Sequence, residues 1–184
     1  MREYLEFYIN GEWVDPMKSN PFNVINPATE AVAGKINLGT KADVDKAVKA
    51  ASEAFKSWSQ TSKEERLHVL DRIIEEFEKR LPEMAEAITE EMGAPAWLSL
   101  GSQAALGVNH FKNTRAVLER FEFESDRGGS HISREPIGVC GLITPWNWPM
   151  NQICAKTSPA LAVGCTVVLK PSEIAPFSAK IFAD

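Results

Sequence analysis

Charge almost disappears from the last third of this chain. Of 20 basic and 25 acidic residues, all but Lys156, Lys170, Glu173, Lys180 and Asp184 precede Pro136. Charged side chains are rarely buried unless paired, so a segment this poor in them is expected to form the heart of a fold. The earlier residues then read as its solvated surroundings. At 184 residues, with 44% hydrophobic and 24% charged residues, the chain is ordinary globular material, longer than one average domain and short for two.

Within the low-charge segment the pattern is strand, loop, helix, strand, loop, helix. Gly138–Ile143 is an apolar run of the kind buried on both faces, followed by Thr144-Pro145-Trp146-Asn147-Trp148-Pro149 and a helix through about Leu161. Gly164 ends that helix, Thr166–Leu169 is a second apolar run, Lys170–Glu173 opens the next loop, and a helix begins at Phe177. A βαβα order predicts two parallel strands joined by a right-handed crossover. Two strands do not make a stable doubly wound sheet, and the last helix has no stop signal before Asp184. The expectation is an incomplete Rossmann-like α/β fold, the N-terminal part of a longer protein.

Upstream, Tyr8-Ile9-Asn10-Gly11-Glu12-Trp13-Val14 carries a hairpin signal, and Phe22–Ile25 and Ala31–Ile36 read as further extended segments. From Thr40 the period becomes helical, with Val44, Ala47, Val48, Ala51 and Phe55 on one face and Thr40 placed to cap. Ser62-Lys63-Glu64-Glu65 is a capping box before the stripe Leu67, Leu70, Ile73 and Phe77. Pro82 opens a third helix through Met84, Ala87, Ile88 and Met92, stopped by Gly93 and Pro95, and a fourth spans about Trp97 to Arg120. Phe121-Glu122-Phe123-Glu124, a turn at Asp126–Gly129 and His131–Arg134 read as a projecting antiparallel ribbon, whose open edge suits pairing with another chain. Three parts result: 1–120, hairpin and helices; 121–135, ribbon; 136–184, the start of a dinucleotide-binding core.

Ligands of open α/β sheets bind beyond the carboxyl ends of the strands, where both loops are chemically unusual. Asn147 is the only side-chain amide in the first, held between prolines and indoles. Its NH2 group is suited to donate to a developing oxyanion, or alternatively to satisfy a turn. In the second, Glu173 suits the hydroxyls of a ribose with Lys170 beside it; equally, Ser172 and Glu173 suit the start of the next helix. No GxGxxG or P-loop occurs. His68, His110 and His131 are scattered, and Cys140, Cys154 and Cys165 sit in apolar contexts as packing thiols, with no metal or disulfide pattern among them. A net charge of −5 offers nothing to nucleic acid, and no apolar run approaches the roughly 18–20 residues of a membrane span. The N-terminus lacks a secretory signal, so a cytoplasmic location is expected.

The segment Gly138–Pro149 together with Pro159–Glu173 resembles the aldehyde dehydrogenase superfamily. So do Tyr8-Ile-Asn-Gly-Glu-Trp13, Val24-Ile-Asn-Pro-Ala-Thr29 and Ala42-Asp-Val-Asp-Lys-Ala-Val48, in the same order along essentially the whole chain. The resemblance implies oxidation of a small-molecule aldehyde with NAD, NADP being possible, through a thiohemiacetal on a cysteine. It implies Asn147 as the oxyanion donor. It further implies that Ile143, Thr144, Pro145 and Trp146 line the cofactor, that Lys170 and Glu173 hold the adenosine ribose, and that the ribbon takes part in a dimer or tetramer. The family's nucleophile, general base and glycine-rich turn have no counterpart here, so this stretch alone is expected to be inactive. A non-catalytic nucleotide-binding or oligomerisation module is the alternative from another class.

Overall fold

Asn10 and Gly11 both adopt positive φ, 60° and 80°, the backbone of a two-residue hairpin turn. The computed structural model, which describes residues 1–184, places them between β2 (Phe7–Ile9) and β3 (Glu12–Val14), paired antiparallel as the sequence predicts. The extended segments at 22–25 and 31–36 become β4 (Pro21–Ile25) and β5 (Val32–Asn37). They form a three-stranded sheet with β1 (Arg2–Tyr4), a strand the sequence reading did not find. Three residues are too few to show a period. What holds β1 is tertiary: a parallel ladder to β5, an Arg2–Glu90 ion pair of 2.6 Å, and the Arg2 guanidinium over the Phe177 ring.

Helices α1 (Lys41–Trp58), α2 (Lys63–Lys79) and α3 (Leu81–Met92) form where the sequence predicts, and α2 and α3 bury their stripes; α1 buries only Ala51 of its predicted face, leaving Val44 and Val48 exposed. At α2 the capping box is complete: Ser62 Oγ accepts from Glu65 N–H, and the Glu65 carboxylate accepts from Ser62 N–H. At α1 the carboxylate of Asp43 takes the larger share. It accepts from the Thr40 N–H and hydroxyl at 2.7 and 2.6 Å and from the distant Met17 N–H at 2.8 Å. Gly93 closes α3 in the left-handed region at φ 75°.

The helix expected over 97–120 is not uniform. A short α4 (Ala96–Leu98) passes through a π-helical turn at Ser99–Ala104 into α5 (Ala105–Arg120). The wider turn brings Ser99, Gln103 and Ala104 onto α3, where Thr89 Oγ donates to Ser99 Oγ at 2.8 Å. The ribbon also differs in register from the reading. Its strands are β6 (Glu124–Arg127) and β7 (Ser130–Ser133), turning on Gly128-Gly129 alone. Phe121 and Phe123 lie before it, stacked edge to face at 4.9 Å, with Phe123 packed on the core. Their alternation with glutamates imitates a strand; partial burial of both rings at the helix end explains it better.

In the low-charge segment β8 (Val139–Ile143) and β9 (Thr166–Lys170) pair in parallel, joined by α6 (Pro149–Ala162) and followed by α7 (Phe177–Ala183). Helices α1 and α6 both pack on this strand pair. The core lies chiefly among α2, α3, α5, α6 and α7, centred on Phe77, Met84, Ile88, Phe111, Met150, Ile153 and Phe177. So α6 and α7 are the buried heart that low charge predicted. The strands are not: Ile143 is 77% exposed, because β8 and β9 bond only to each other. No helix is long and apolar enough to cross a membrane.

Hydrogen bonds from Met17 and Thr40 hold the Asp43 carboxyl below its ordinary value of 3.8. Its contribution is therefore complete above that value and lost as pH falls through the depressed one. Asp43→Ala, which orphans the Met17 and Thr40 N–H groups, is expected to cost about 2 kcal/mol in urea denaturation at pH 7. The gap to wild type should narrow below about pH 4.

Candidate functional site

Parallel pairing puts the carboxyl ends of β8 and β9 side by side, with Ile143 opposite Lys170. One further hydrogen bond extends the ladder into the loops: Thr144 N–H donates to the Lys170 carbonyl at 3.2 Å. The two loops singled out from the sequence therefore leave the same edge of the same sheet, tied at their roots.

Along the first loop Ile143, Pro145, Trp146 and Asn147 are exposed, and Thr144 is buried at 4% exposure. Two features of it are chemically open. The Asn147 amide stands in solvent with no hydrogen bond to the chain, so it does not serve the turn. It immediately precedes the N-terminus of α6, opened by Pro149, where the helix dipole favours negative charge. The Thr144 hydroxyl is buried without a partner, an arrangement that costs stability unless something else bonds to it. One turn along α6 from Asn147, Asn151 is held by His110 of α5 at 2.8 Å.

Along the second loop Lys170 Nζ donates to Glu173 Oε2 at 2.7 Å. That contact, first of all, holds the Glu173 carboxyl below the ordinary glutamate value, so an anion and a cation stand side by side. Ser172 does not cap α7, which starts only at Phe177; its hydroxyl accepts from Ile174 N–H at 3.3 Å within the loop. The acid at the start of α7 is instead Glu91, from α3. Its carboxylate has no exposed surface and accepts from the Phe177 and Ser178 N–H groups and the Ser178 hydroxyl. The sequence reading passed over this residue, although it falls on the stripe of Met84, Ala87 and Ile88, where an acid is out of place.

The remaining candidates stay apart from these loops. His131 pairs with Asp126 and Glu124 in the ribbon, which raises its pKa. Burial pushes the Cys154 thiol far up, and burial with Cys165 alongside raises Cys140. No group of three or more His, Cys, Asp or Glu side chains is arranged to hold a metal ion. Two surface hollows, one at the ribbon base around Arg120 and Arg134 and one between Phe55 and Glu135, include no residue of the two loops. The candidate site is an open ledge.

Parallel strands joined by a crossover helix, with polar groups in the loops at their carboxyl ends, make an incomplete Rossmann-like α/β unit. Comparison with known proteins makes this specific. The chain belongs to the aldehyde dehydrogenase family, whose model matches residues 13–184. It is 56% identical over its whole length to 3-succinoylsemialdehyde-pyridine dehydrogenase of a Pseudomonas species, and covers 39% of that protein. An aldehyde dehydrogenase from Bartonella henselae superposes with a TM-score of 0.97 at 47% identity, over 100% of this chain and 39% of the other. A mutant aldehyde dehydrogenase C from Pseudomonas syringae, in complex with NAD+ and octanal, gives 0.95 at 50% identity over 97% and 37%. The chain thus spans well under half the length of these relatives.

Replacing the orphaned hydroxyl by a methyl group should stabilise the protein. Thr144→Val is expected to raise unfolding free energy by about 1 kcal/mol. A thermal unfolding midpoint that stays put or falls would show that the hydroxyl has a partner within the protein.

Proposed function

We propose that the protein bearing this chain oxidises an aldehyde to a carboxylic acid with NAD+, Asn147 acting as oxyanion donor. Ile143, Thr144, Pro145 and Trp146 then line the cofactor, while Lys170 and Glu173 hold its adenosine ribose. The observation that carries this reading is the single ledge: an unengaged amide beside a helix N-terminus, and a Lys–Glu pair on the adjoining strand end. The residues suit the cofactor. Exposed Ile143 and Trp146 offer apolar surface, Thr144 a hydroxyl in need of a partner, and Glu173 an ionised acceptor for ribose hydroxyls.

Bound NAD+ supplies the hydride acceptor. The Asn147 amide donates to the aldehyde oxygen as negative charge gathers there, with the α6 dipole aligned to favour the same charge. Glu173 accepts from ribose and Lys170 keeps it ionised. The nucleophile is a cysteine other than Cys140, Cys154 and Cys165; the raised pKa values of Cys140 and Cys154 favour the inert thiol form. By the same reading residues 1–120, 121–135 and 136–184 serve as helical part, association ribbon and cofactor core. The ribbon strands pair only with each other, leaving edges on which a dimer or tetramer can build. Three free thiols fit the reducing cytoplasm.

Two substitutions in the full-length enzyme test these roles. Asn147→Ala should lower kcat by about 10²–10³ with little change in NAD+ affinity, the cost of one oxyanion donor. Unchanged turnover under conditions where chemistry limits the rate refutes the assignment. If Glu173 holds the ribose, the 2′-phosphate of NADP+ would meet its carboxylate, so the wild type should prefer NAD+. Glu173→Ser should shift the kcat/KM ratio toward NADP+ by about tenfold, roughly 1.4 kcal/mol. A ratio that does not move removes Glu173 from the ribose site.

A further inference from the structure

Glu91 lies 86 positions before Phe177, on a different helix from any residue of the ledge, yet it ends against the loop that carries Glu173. That loop hangs between two fixed points. At its start, Lys170 is locked into the parallel ladder opposite Ile143, its carbonyl accepting from Thr144 N–H. At its far end, Glu91 Oε2 accepts from Phe177 N–H, and Oε1 accepts from Ser178 N–H at 3.2 Å and from the Ser178 hydroxyl at 2.5 Å. Between them the loop's own hydrogen bonds are short-range, Lys170 Nζ to Glu173 Oε2 at 2.7 Å and Ile174 N–H to Ser172 Oγ and Ala175 N–H to the Ser172 carbonyl, each at 3.3 Å; Ser172, Ala175 and Pro176 are buried, while Glu173 and Ile174 reach the surface. The geometry points to Glu91 as a positioning residue for Glu173: it pins the second end of the ribose-binding loop and so sets where that carboxylate meets the nucleotide.

The inference rests on the reading of Glu173 as the ribose acceptor. A carboxylate fits the anchoring task because it accepts on both oxygens, and every group facing it from α7 is a donor. A glutamine in its place would turn one acceptor into an NH2 group aimed at a backbone N–H. Three donors do not fully offset the loss of water, and burial pushes the Glu91 carboxyl up to about 7. At pH 8.5 it is ionised. The surroundings are otherwise apolar: Met84, Ile88, Phe177 and Ile181 bury α3 against α7, so α7 stays docked when the anchor is weakened.

The test uses the full-length enzyme at pH 8.5 with Glu91→Gln, Glu173→Ser and the double variant. In Glu91→Gln the amides of Phe177 and Ser178 should exchange with solvent at least about tenfold faster, as expected when a hydrogen bond to a charged group is lost. KM for NAD+ should rise about tenfold while kcat and the aldehyde KM stay within about twofold. In the Glu173→Ser background the same change should add little, since the two residues act through one contact. Unaltered amide exchange, an unmoved NAD+ KM, or fully additive effects would overturn the inference. If Glu173→Ser by itself leaves the NAD+ KM unmoved, the ribose reading fails and the inference falls with it. If Glu173→Ser raises it and Glu91→Gln does not, only the inference fails. Should Glu91→Gln not fold, Ser178→Ala removes one of the three bonds, and about a threefold rise in NAD+ KM is expected; no rise refutes the role.

Discussion

The parallel pairing of β8 with β9 is the constraint from which the rest follows. Parallel neighbours cannot be joined by a tight turn, so the chain must leave the sheet, cross it and return. The crossover is α6, and its inner face supplies Met150, Ile153, Cys154, Thr157 and Ser158 to the interior. Its partner across that interior is α5, to which it is also held by hydrogen bonds, His110 to Asn151 and Thr114 to Ser158, both 2.8 Å. The same pairing decides where chemistry can occur. Both strands run in one direction, so both carboxyl ends open on one edge, and two loops 23 positions apart in sequence (Asn147 and Lys170) become neighbours in space.

Three buried side chains of charged type tie the elements together, each bonding to backbone groups, and Glu91 among them ties the helical layer to this unit. Asp43 joins α1 to the loop at Met17, Glu91 joins α3 to α7, and Arg66 of α2 donates to the Ser59 and Thr61 carbonyls and the Thr61 hydroxyl. A buried charge stabilises nothing unless its hydrogen bonds are complete, and these have several partners each. Arg66 also explains Gly164. At φ 91° that glycine turns the end of α6 into β9, and a Cβ there would strike the guanidinium group at 2.8 Å. The turn thus needs glycine twice over, for its backbone angle and for the room Arg66 occupies.

Local chemistry was legible in the sequence wherever it acts over a few residues. The Asn10-Gly11 turn, the Ser62–Glu65 box, the Gly93 stop and the βαβα order each depend on neighbours three or four positions away. The two loops of the ledge were legible for the same reason: each is a contiguous run placed by a strand that ends. Other features depend on what packs against them. β1 exists through Gly34 and Glu90, the π turn through its fit on α3, and the ribbon register through Phe121 and Phe123 folding away. The exposure of Ile143 is of this kind too. An apolar run states that a strand prefers burial; only the pairing shows that β8 has a neighbour on one side.

Glu91 joins these two kinds of information. Its signal was present, an acid in register with Met84, Ala87 and Ile88, but its meaning was not, because nothing near it in sequence needs an acceptor. The need arises 86 residues later, where α7 begins with buried donors that no side chain of its own caps, Pro176 standing at the N-cap position. A strand ladder fixes a loop at one end only. The other end must be held by whatever the fold packs against it, and here that is the last turn of α3. The groups proposed to touch cofactor and substrate therefore lie within residues 143–173, while the group that holds their loop in place comes from the helical layer. The long, charge-rich first part of the chain is thus more than a solvated covering: it completes the geometry of a ledge that the charge-poor part cannot fix by itself.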